Sequence, residues 1–168
     1  MAFPDHNPNN RACHNGGFTY IELMVTLAIM GILVLVATPM AQISVQRDKE
    51  HELRVSLVKI REALDAYKRA AEQGHIIVKV GDSGYPKKLD DLADGVLDQR
   101  SPNKQKLYFL RQLPRDPFNP DTSLKPSATW GIRSFTSPPD DPSEGDDVFD
   151  IHTNSQQIGL NGVPYKQW

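Results

Sequence analysis

Cysteine is almost missing from this chain of 168 residues: Cys13 stands alone, so no disulfide within the chain can staple a fold. Histidine is sparse too, at positions 6, 14, 51, 75 and 152, with no pair at zinc-ligand spacing. No glycine-rich phosphate loop, nucleophile elbow or metalloprotease helix surrounds any Ser, His or acid, so the sequence offers no grounds for an enzyme. A dominant charge is lacking as well. Lys and Arg number 19 against 21 Asp and Glu, a formal charge of −2; nucleic acid as the main partner would require a basic stripe that this mixture does not supply. The length accommodates one modest domain and an accessory segment, but no second, catalytic domain.

What is present is concentrated at one end. The first 17 residues, MAFPDHNPNNRACHNGG, are polar, without apolar periodicity, and close on a Gly pair. At Phe18 the run FTYIELMVTLAIMGILVLVATPM begins, and from Leu23 to Met40 it holds no ionisable side chain. At about 1.5 Å per residue, such a helix crosses a hydrocarbon core of roughly 30 Å. In an ordinary secretory signal the small-residue cleavage site follows the apolar core. Here Gly16 and Gly17 precede it, so a cut at this point leaves the membrane segment on the mature chain. A lipoprotein signal fails for the same reason, because Cys13 lies ahead of the apolar run.

Glu22 is the one charged residue between Phe18 and Met40. An acid in an apolar span costs several kcal/mol, so it needs a partner or a route to water. Cleavage after Gly17 creates an α-amine at Phe18, and the amine of a neighbouring copy can neutralise Glu22 in low dielectric and set the register between copies. Alternatively, Glu22 reaches the interface and is hydrated.

The segment Gly17 to Glu22, G-F-T-Y-I-E, resembles the class III signal of type IV pilins and type II secretion pseudopilins. The resemblance implies that a prepilin peptidase cuts after Gly17, that Phe18 is N-methylated, and that Glu22 is the family's assembly glutamate. It also places a helix-loosening glycine on Gly31 and the mid-helix proline on Pro39. On its own chemistry Pro39 lacks an N–H and crowds the carbonyl of Leu35, which predicts a kink. The resemblance implies that the stretch between Gly31 and Pro39 melts as subunits pack; the alternative is that both are ordinary membrane-helix residues. The leader's only Arg or Lys is Arg11, so the motif rather than charge bias sets the expected orientation, with the leader cytoplasmic and the C-terminal region periplasmic.

Beyond Met40 the helical pattern turns amphipathic. Leu53, Leu57, Ile60, Leu64 and Tyr67 recur at spacings of four and three and form one stripe, while Gly74 fits a C-terminal stop. A helix over Phe18–Gln73 is therefore predicted. The charges from Arg47 to Arg54 are read as a solvated face with i,i+4 pairs, with contacts between subunits as the alternative. Strands are predicted over Thr129–Phe135 and Val148–His152, with a hairpin-type turn at Asn161-Gly162. Y-P-x-x-L-x-x-L (Tyr85 to Leu92) and L-P-R-D-P-F (Leu113 to Phe118) are similar to the pseudopilin loop after the long helix and to its proline-rich connection into the sheet.

The expected fold is α+β and type IV pilin-like: a long, partly transmembrane helix packed on a small antiparallel sheet of about three short strands. The expected organisation is a leader over 1–17, a membrane-spanning half-helix over 18–40, an amphipathic half over 41–74 and a periplasmic globular region over 75–168.

The stretch PPDDPSEGDDVFD holds Asp140, Asp146, Asp147 and Asp150, four oxygen donors for a calcium ion. A solvated acidic loop with prolines is the commoner explanation for them. In the stretch similar to the family's calcium loop, Ser155 to Gly162, the chain has Gln156, Gln157 and Asn161 in place of acids. No other cofactor is expected.

The resemblance implies a structural subunit of a type II secretion pseudopilus in the bacterial inner membrane. It would polymerise with itself and with minor pseudopilins, served by the prepilin peptidase, an inner-membrane platform protein and an assembly ATPase. A type IV pilin of a surface fibre is the alternative, disfavoured by the cysteine-free mature chain, the Y-P loop, the L-P-R-D-P block and the aromatic end at Trp168. A single-pass binding or sensor protein that does not polymerise is a third reading, and it gives Glu22 no role.

Overall fold

The computed structural model describes residues 17–168, so the expected leader, apart from Gly17, lies outside the described residues. The chain divides into two units, Met1–Ile43 and Ser44–Trp168. Helix α1 (Tyr20–Glu72) contributes to both and is 53 residues long, close to the predicted span.

In the first unit α1 carries apolar side chains with no cover: Ile21, Leu27, Leu33 and Leu35 are all more than half exposed. A helix that is apolar all round requires a surrounding apolar medium or partner helices. Among the described residues, no helix is long and apolar enough to cross a membrane; positions 36, 38, 39 and 41 lie within α1, but their side chains are outside the description. The span expected over 18–40 therefore rests on the sequence. Helix α1 runs through position 39, and the role expected of the Pro39 side chain falls outside the described residues.

In the second unit the predicted stripe is buried: Leu53, Leu57, Ile60, Leu64 and Tyr67 join Ala63 and Ala71 in the core. Each fully buried Leu or Ile contributes about 1.5–3 kcal/mol relative to exposure. The helix stops as its sequence dictates. Gly74 adopts φ 77°, its N–H donates to Ala71 O, and the His75 N–H donates to Ala70 O, both at 3.0 Å. These are the two bonds of a Schellman cap, and glycine supplies the left-handed residue without steric cost.

The chain then lays Pro86, Leu89 and Leu92 into the core. A short helix α2 (Asp91–Asp94) leads through Gly95 into strand β1 (Val96–Leu97), which pairs antiparallel with β2 (Lys106–Leu107). Strands β3 (Trp130–Arg133) and β4 (Asp150–Thr153) form a second antiparallel ladder, with Trp130 opposite Thr153 and Arg133 opposite Asp150. L-P-R-D-P-F is pinned at buried Asp116. Its N–H donates to Thr129 Oγ1 at 3.1 Å, the Phe118 N–H donates to its Oδ1 at 2.8 Å, and the Thr153 hydroxyl donates to its Oδ2.

The α+β class and the long helix are as expected, whereas the single sheet is not. Two separate two-stranded ladders take its place. Beyond β4, pairing among the described residues shrinks to one bridge, Ile158 with Pro164, since proline has no N–H with which to continue a ladder. The tight turn there does form: Gly162 has φ 79°, and the Gly159 N–H donates to Val163 O at 2.9 Å.

Candidate functional site

The head of α1 explains itself through Thr19 and Glu22. The Glu22 N–H donates to Thr19 Oγ1 at 3.3 Å, and the Thr19 N–H and hydroxyl both donate to Glu22 Oε2 at 3.4 Å. This reciprocal T-x-x-E arrangement is a capping box, which satisfies helix N–H groups that have no partner in the preceding turn. A carboxylate here also complements the positive end of the helix dipole. Glu22 Oε1 accepts nothing among the described residues, so the cap leaves one oxygen available to an amine.

Gly17 and Phe18 precede the helix in irregular backbone, and a side chain built at Gly17 would meet no atom within 4 Å. A protease needs such an open approach to a peptide bond. Gly31 is likewise unobstructed on the helix surface. Gly17, Phe18 and Glu22 thus come together within about one helical turn, while Gly31 and Pro39 lie farther along the same helix.

The four acids considered for calcium are not brought together. Asp150 receives Arg61 Nε at 2.8 Å and Arg133 Nη2 at 3.3 Å. Asp147 accepts from the hydroxyls of Ser83 and Ser134 and from the Phe135 N–H at 3.0 Å. Burial pushes the Asp147 carboxyl up, but these hydrogen bonds outweigh it and hold it below its ordinary value. Asp140 and Asp146 are exposed. Among the described residues, no group of three or more His, Cys, Asp or Glu is arranged to hold a metal ion.

Two buried acids escaped the sequence reading, Asp116 and Glu50. The signal for Glu50 was its register. It sits three residues before Leu53, on the buried stripe, and accepts from the Leu160 N–H at 2.7 Å and the Tyr165 hydroxyl at 2.8 Å. Asp116 had no comparable signal, because its partners Thr129 and Thr153 are distant in sequence.

Comparison with known proteins bears on the same segment. Residues 13–38 match the prokaryotic N-terminal methylation motif. Over 140 residues the chain is 30% identical to the type II secretion system core protein G of Klebsiella michiganensis, an alignment covering 79% of this chain and 89% of that one. The chain belongs to the type II secretion system core protein G family. The protein of the same name from Dickeya chrysanthemi is 25% identical over 154 residues, covering 87% of this chain and 94% of that one. No solved structure matches significantly. Membership decides between the expected secretion pseudopilin and the surface-fibre pilin in favour of the pseudopilin.

Proposed function

We propose that this pseudopilin is cut after Gly17, methylated at Phe18 and polymerised through the first half of α1 into a filament that rises from the inner membrane into the periplasm. The observation that carries the proposal is the capped Glu22 at the head of an uncovered apolar helix, with one carboxylate oxygen open. In a filament, the Phe18 amine of a neighbouring copy takes that oxygen, and lipid or adjacent helices cover Ile21 to Leu35. An ion pair removed from water is stabilised by close geometry and a low dielectric, so the correct axial register is the one that pairs every charge.

Gly31 and Pro39 weaken the helix between them, which lets that stretch loosen as subunits pack. The work is mechanical: subunits added at the base push the filament and its load outward. A prepilin peptidase, an inner-membrane platform protein, an assembly ATPase and minor pseudopilins complete the machine.

The test is the intact mass of membrane-extracted protein, made with and without a prepilin peptidase. Loss of residues 1–17 together with one added methyl group on Phe18 is expected only with the enzyme. An uncut chain in its presence overturns the proposal.

A further inference from the structure

The loop that follows β4 is uncharged, closely bonded and apolar at its tip. From Asn154 to Pro164 it holds no ionisable side chain, and Ile158, Leu160 and Val163 are 60, 45 and 37% exposed. Much of its backbone is already paired. The Gly159 N–H donates to Val163 O and the Gly162 N–H to Gly159 O, both at 2.9 Å. The Val163 N–H donates to Asn161 Oδ1 at 3.1 Å, and the Leu160 N–H to Glu50 Oε1 at 2.7 Å. Backbone that is paired within the protein loses little on leaving water, so such a loop can enter an apolar medium that excludes an unpaired one.

The loop sits where the chain enters the second unit. Gln46, two residues past the start of that unit at Ser44, donates through its side-chain amide to Ile158 O at 3.5 Å. Four residues of chain lead from Met40, the end of the apolar run, to Ser44, at most about 14 Å even when extended. The headgroup layer adds about 5–8 Å to each side of a hydrocarbon core. A chain anchored through residues 18–40 therefore carries this loop within reach of lipid headgroups.

Charge agrees with that placement. At 3.6 residues per turn, Arg47 and Arg54 flank the face of α1 that carries Gln46 and Glu50, while Asp48 and Glu52 lie on the opposite face. The loop side of the helix thus offers cations to lipid phosphate and turns those acids away. Exposure alone would not single out this loop, since Ile77 and Val80 are more exposed than any of its three apolar residues. Those two, however, follow the other end of α1 at Glu72, about 39 Å along the helix axis from Gln46.

We propose that, in the unassembled subunit, Ile158, Leu160 and Val163 insert into the headgroup layer of the membrane, a peripheral lipid contact that holds the second unit against the bilayer until it joins a filament. The inference rests on the membrane-anchored pseudopilin reading and adds to it a lipid-binding face outside the apolar helix.

The experiment uses the mature chain with ¹³C-labelled Ile, Leu and Val methyl groups, one copy per nanodisc of phosphatidylethanolamine and phosphatidylglycerol. The bilayer is doped with phosphatidylcholine carrying a doxyl spin label near the headgroup end of one acyl chain. Paramagnetic relaxation of the Ile158, Leu160 and Val163 methyls should exceed that of Ile77 and Val80 by at least about fivefold, since interfacial side chains sit roughly 5–10 Å into the headgroup boundary. Leu160→Asp should cut the relaxation at Ile158 and Val163 several-fold, and Ile77→Asp should leave it unchanged, with the melting temperature held in both. Equal relaxation at the two ends of the unit overturns the proposal. So does a loop whose signals change only when two copies share a disc, which assigns the surface to a neighbouring copy. The Ile21 and Leu27 methyls are read in the same spectra. Strong relaxation there without relaxation in the loop sinks the lipid contact and spares the anchor, whereas its absence at both places overturns the anchored reading as well.

Discussion

The hydroxyl of Tyr165 donates to Oε1 of Glu50 at 2.8 Å, joining positions 115 residues apart. The Leu160 N–H donates to the same oxygen at 2.7 Å, and the Gln46 side-chain amide donates to the Tyr165 oxygen at 2.9 Å. Phe118 and Trp168 pack on the Tyr165 ring, their centroids 4.2 and 5.0 Å away. One buried carboxylate thus fastens the C-terminal turn to α1, a task that no internal disulfide can share in a sequence with a single cysteine. Burial raises the Tyr165 hydroxyl pKa; Gln46 opposes the shift, and Glu50 adds to it.

Glu50→Ala leaves the Tyr165 hydroxyl and the Leu160 N–H without an acceptor in the interior. The expected loss is about 2–4 kcal/mol, because unpaired buried donors lose their full desolvation free energy. Glu50→Gln retains an acceptor oxygen, and about 1 kcal/mol is expected. Urea unfolding of the mature chain measures both. A loss under about 0.5 kcal/mol for Glu50→Ala would remove the clasp from the account of stability.

On the proposed assembly Glu22 has two separable jobs. Thr19→Ala removes the capping hydroxyl and weakens the helix start by about 1 kcal/mol while leaving the carboxylate in place. Glu22→Ala removes both the cap and the charge proposed to pair with an amine. Filament yield should fall at least tenfold for Glu22→Ala and less than twofold for Thr19→Ala, with both variants cleaved and inserted; about 1.4 kcal/mol corresponds to each tenfold step. Quantitative immunoblotting of sheared filaments against cell-associated subunit distinguishes them. Equal losses would mean that the cap, not intersubunit pairing, is what assembly needs.

The long helix was legible because its cues are local: the four-and-three spacing of Leu53 to Tyr67, and Gly74 where a Schellman cap requires it. Strands β3 and β4 were visible as short β-rich runs. The hairpin β1–β2 was not, since two residues per strand carry no period. The candidate site divides in the same way. Gly17, Phe18 and Glu22 form a contiguous motif, whereas the contacts of Glu50 and Asp116 exist only once the chain closes over separations that no window of sequence spans. The capping box is present in the sequence as Thr19-x-x-Glu22, a local pattern at the head of the apolar run.

Two glycines with similar φ should respond differently to substitution. At Gly162 (φ 79°) an added Cβ meets nothing within 4 Å, so Gly162→Ala carries only left-handed strain, about 1–2 kcal/mol. Gly95 has φ 78° and ψ 145°, a region that essentially only glycine occupies. A Cβ there would lie 2.6 Å from the Tyr108 ring. Gly95→Ala should therefore cost at least about 1 kcal/mol more than Gly162→Ala in thermal unfolding. The opposite order would show that the α2–β1 joint relaxes freely.

Calcium offers a direct check on the acidic stretch. Asp150 is committed to Arg61 and Arg133, and Asp147 to two serines and a backbone N–H. Millimolar calcium should leave the melting temperature of the mature chain unchanged, whereas any ion that bound only the folded state would raise it. A rise that Asp146→Asn abolishes would establish a metal site there.

His152 makes the domain sensitive to mild acid. Burial lowers its pKa first; Lys166 adds to the effect, Asp150 opposes it, and Arg133 lowers it further. The ring lies against Gly131, where a built Cβ would come within 2.3 Å of Nε2. The folded chain therefore holds the neutral ring below the pH at which an unfolded histidine would protonate, about 6.5. Above that pH both states are neutral at this site and stability does not depend on it. As pH falls through the unfolded value the unfolded chain takes the proton first, so stability declines until the lower, folded value is passed. The depressed carboxyl of Asp147 acts separately. Its contribution is present above the unfolded carboxylate value of about 3.9 and is lost as pH falls through its own lower value. Melting temperature should therefore fall on acidification below about pH 6.5, and His152→Gln should flatten that part of the curve while leaving the fall at lower pH. Parallel curves for the two proteins would place the acid sensitivity elsewhere in the chain.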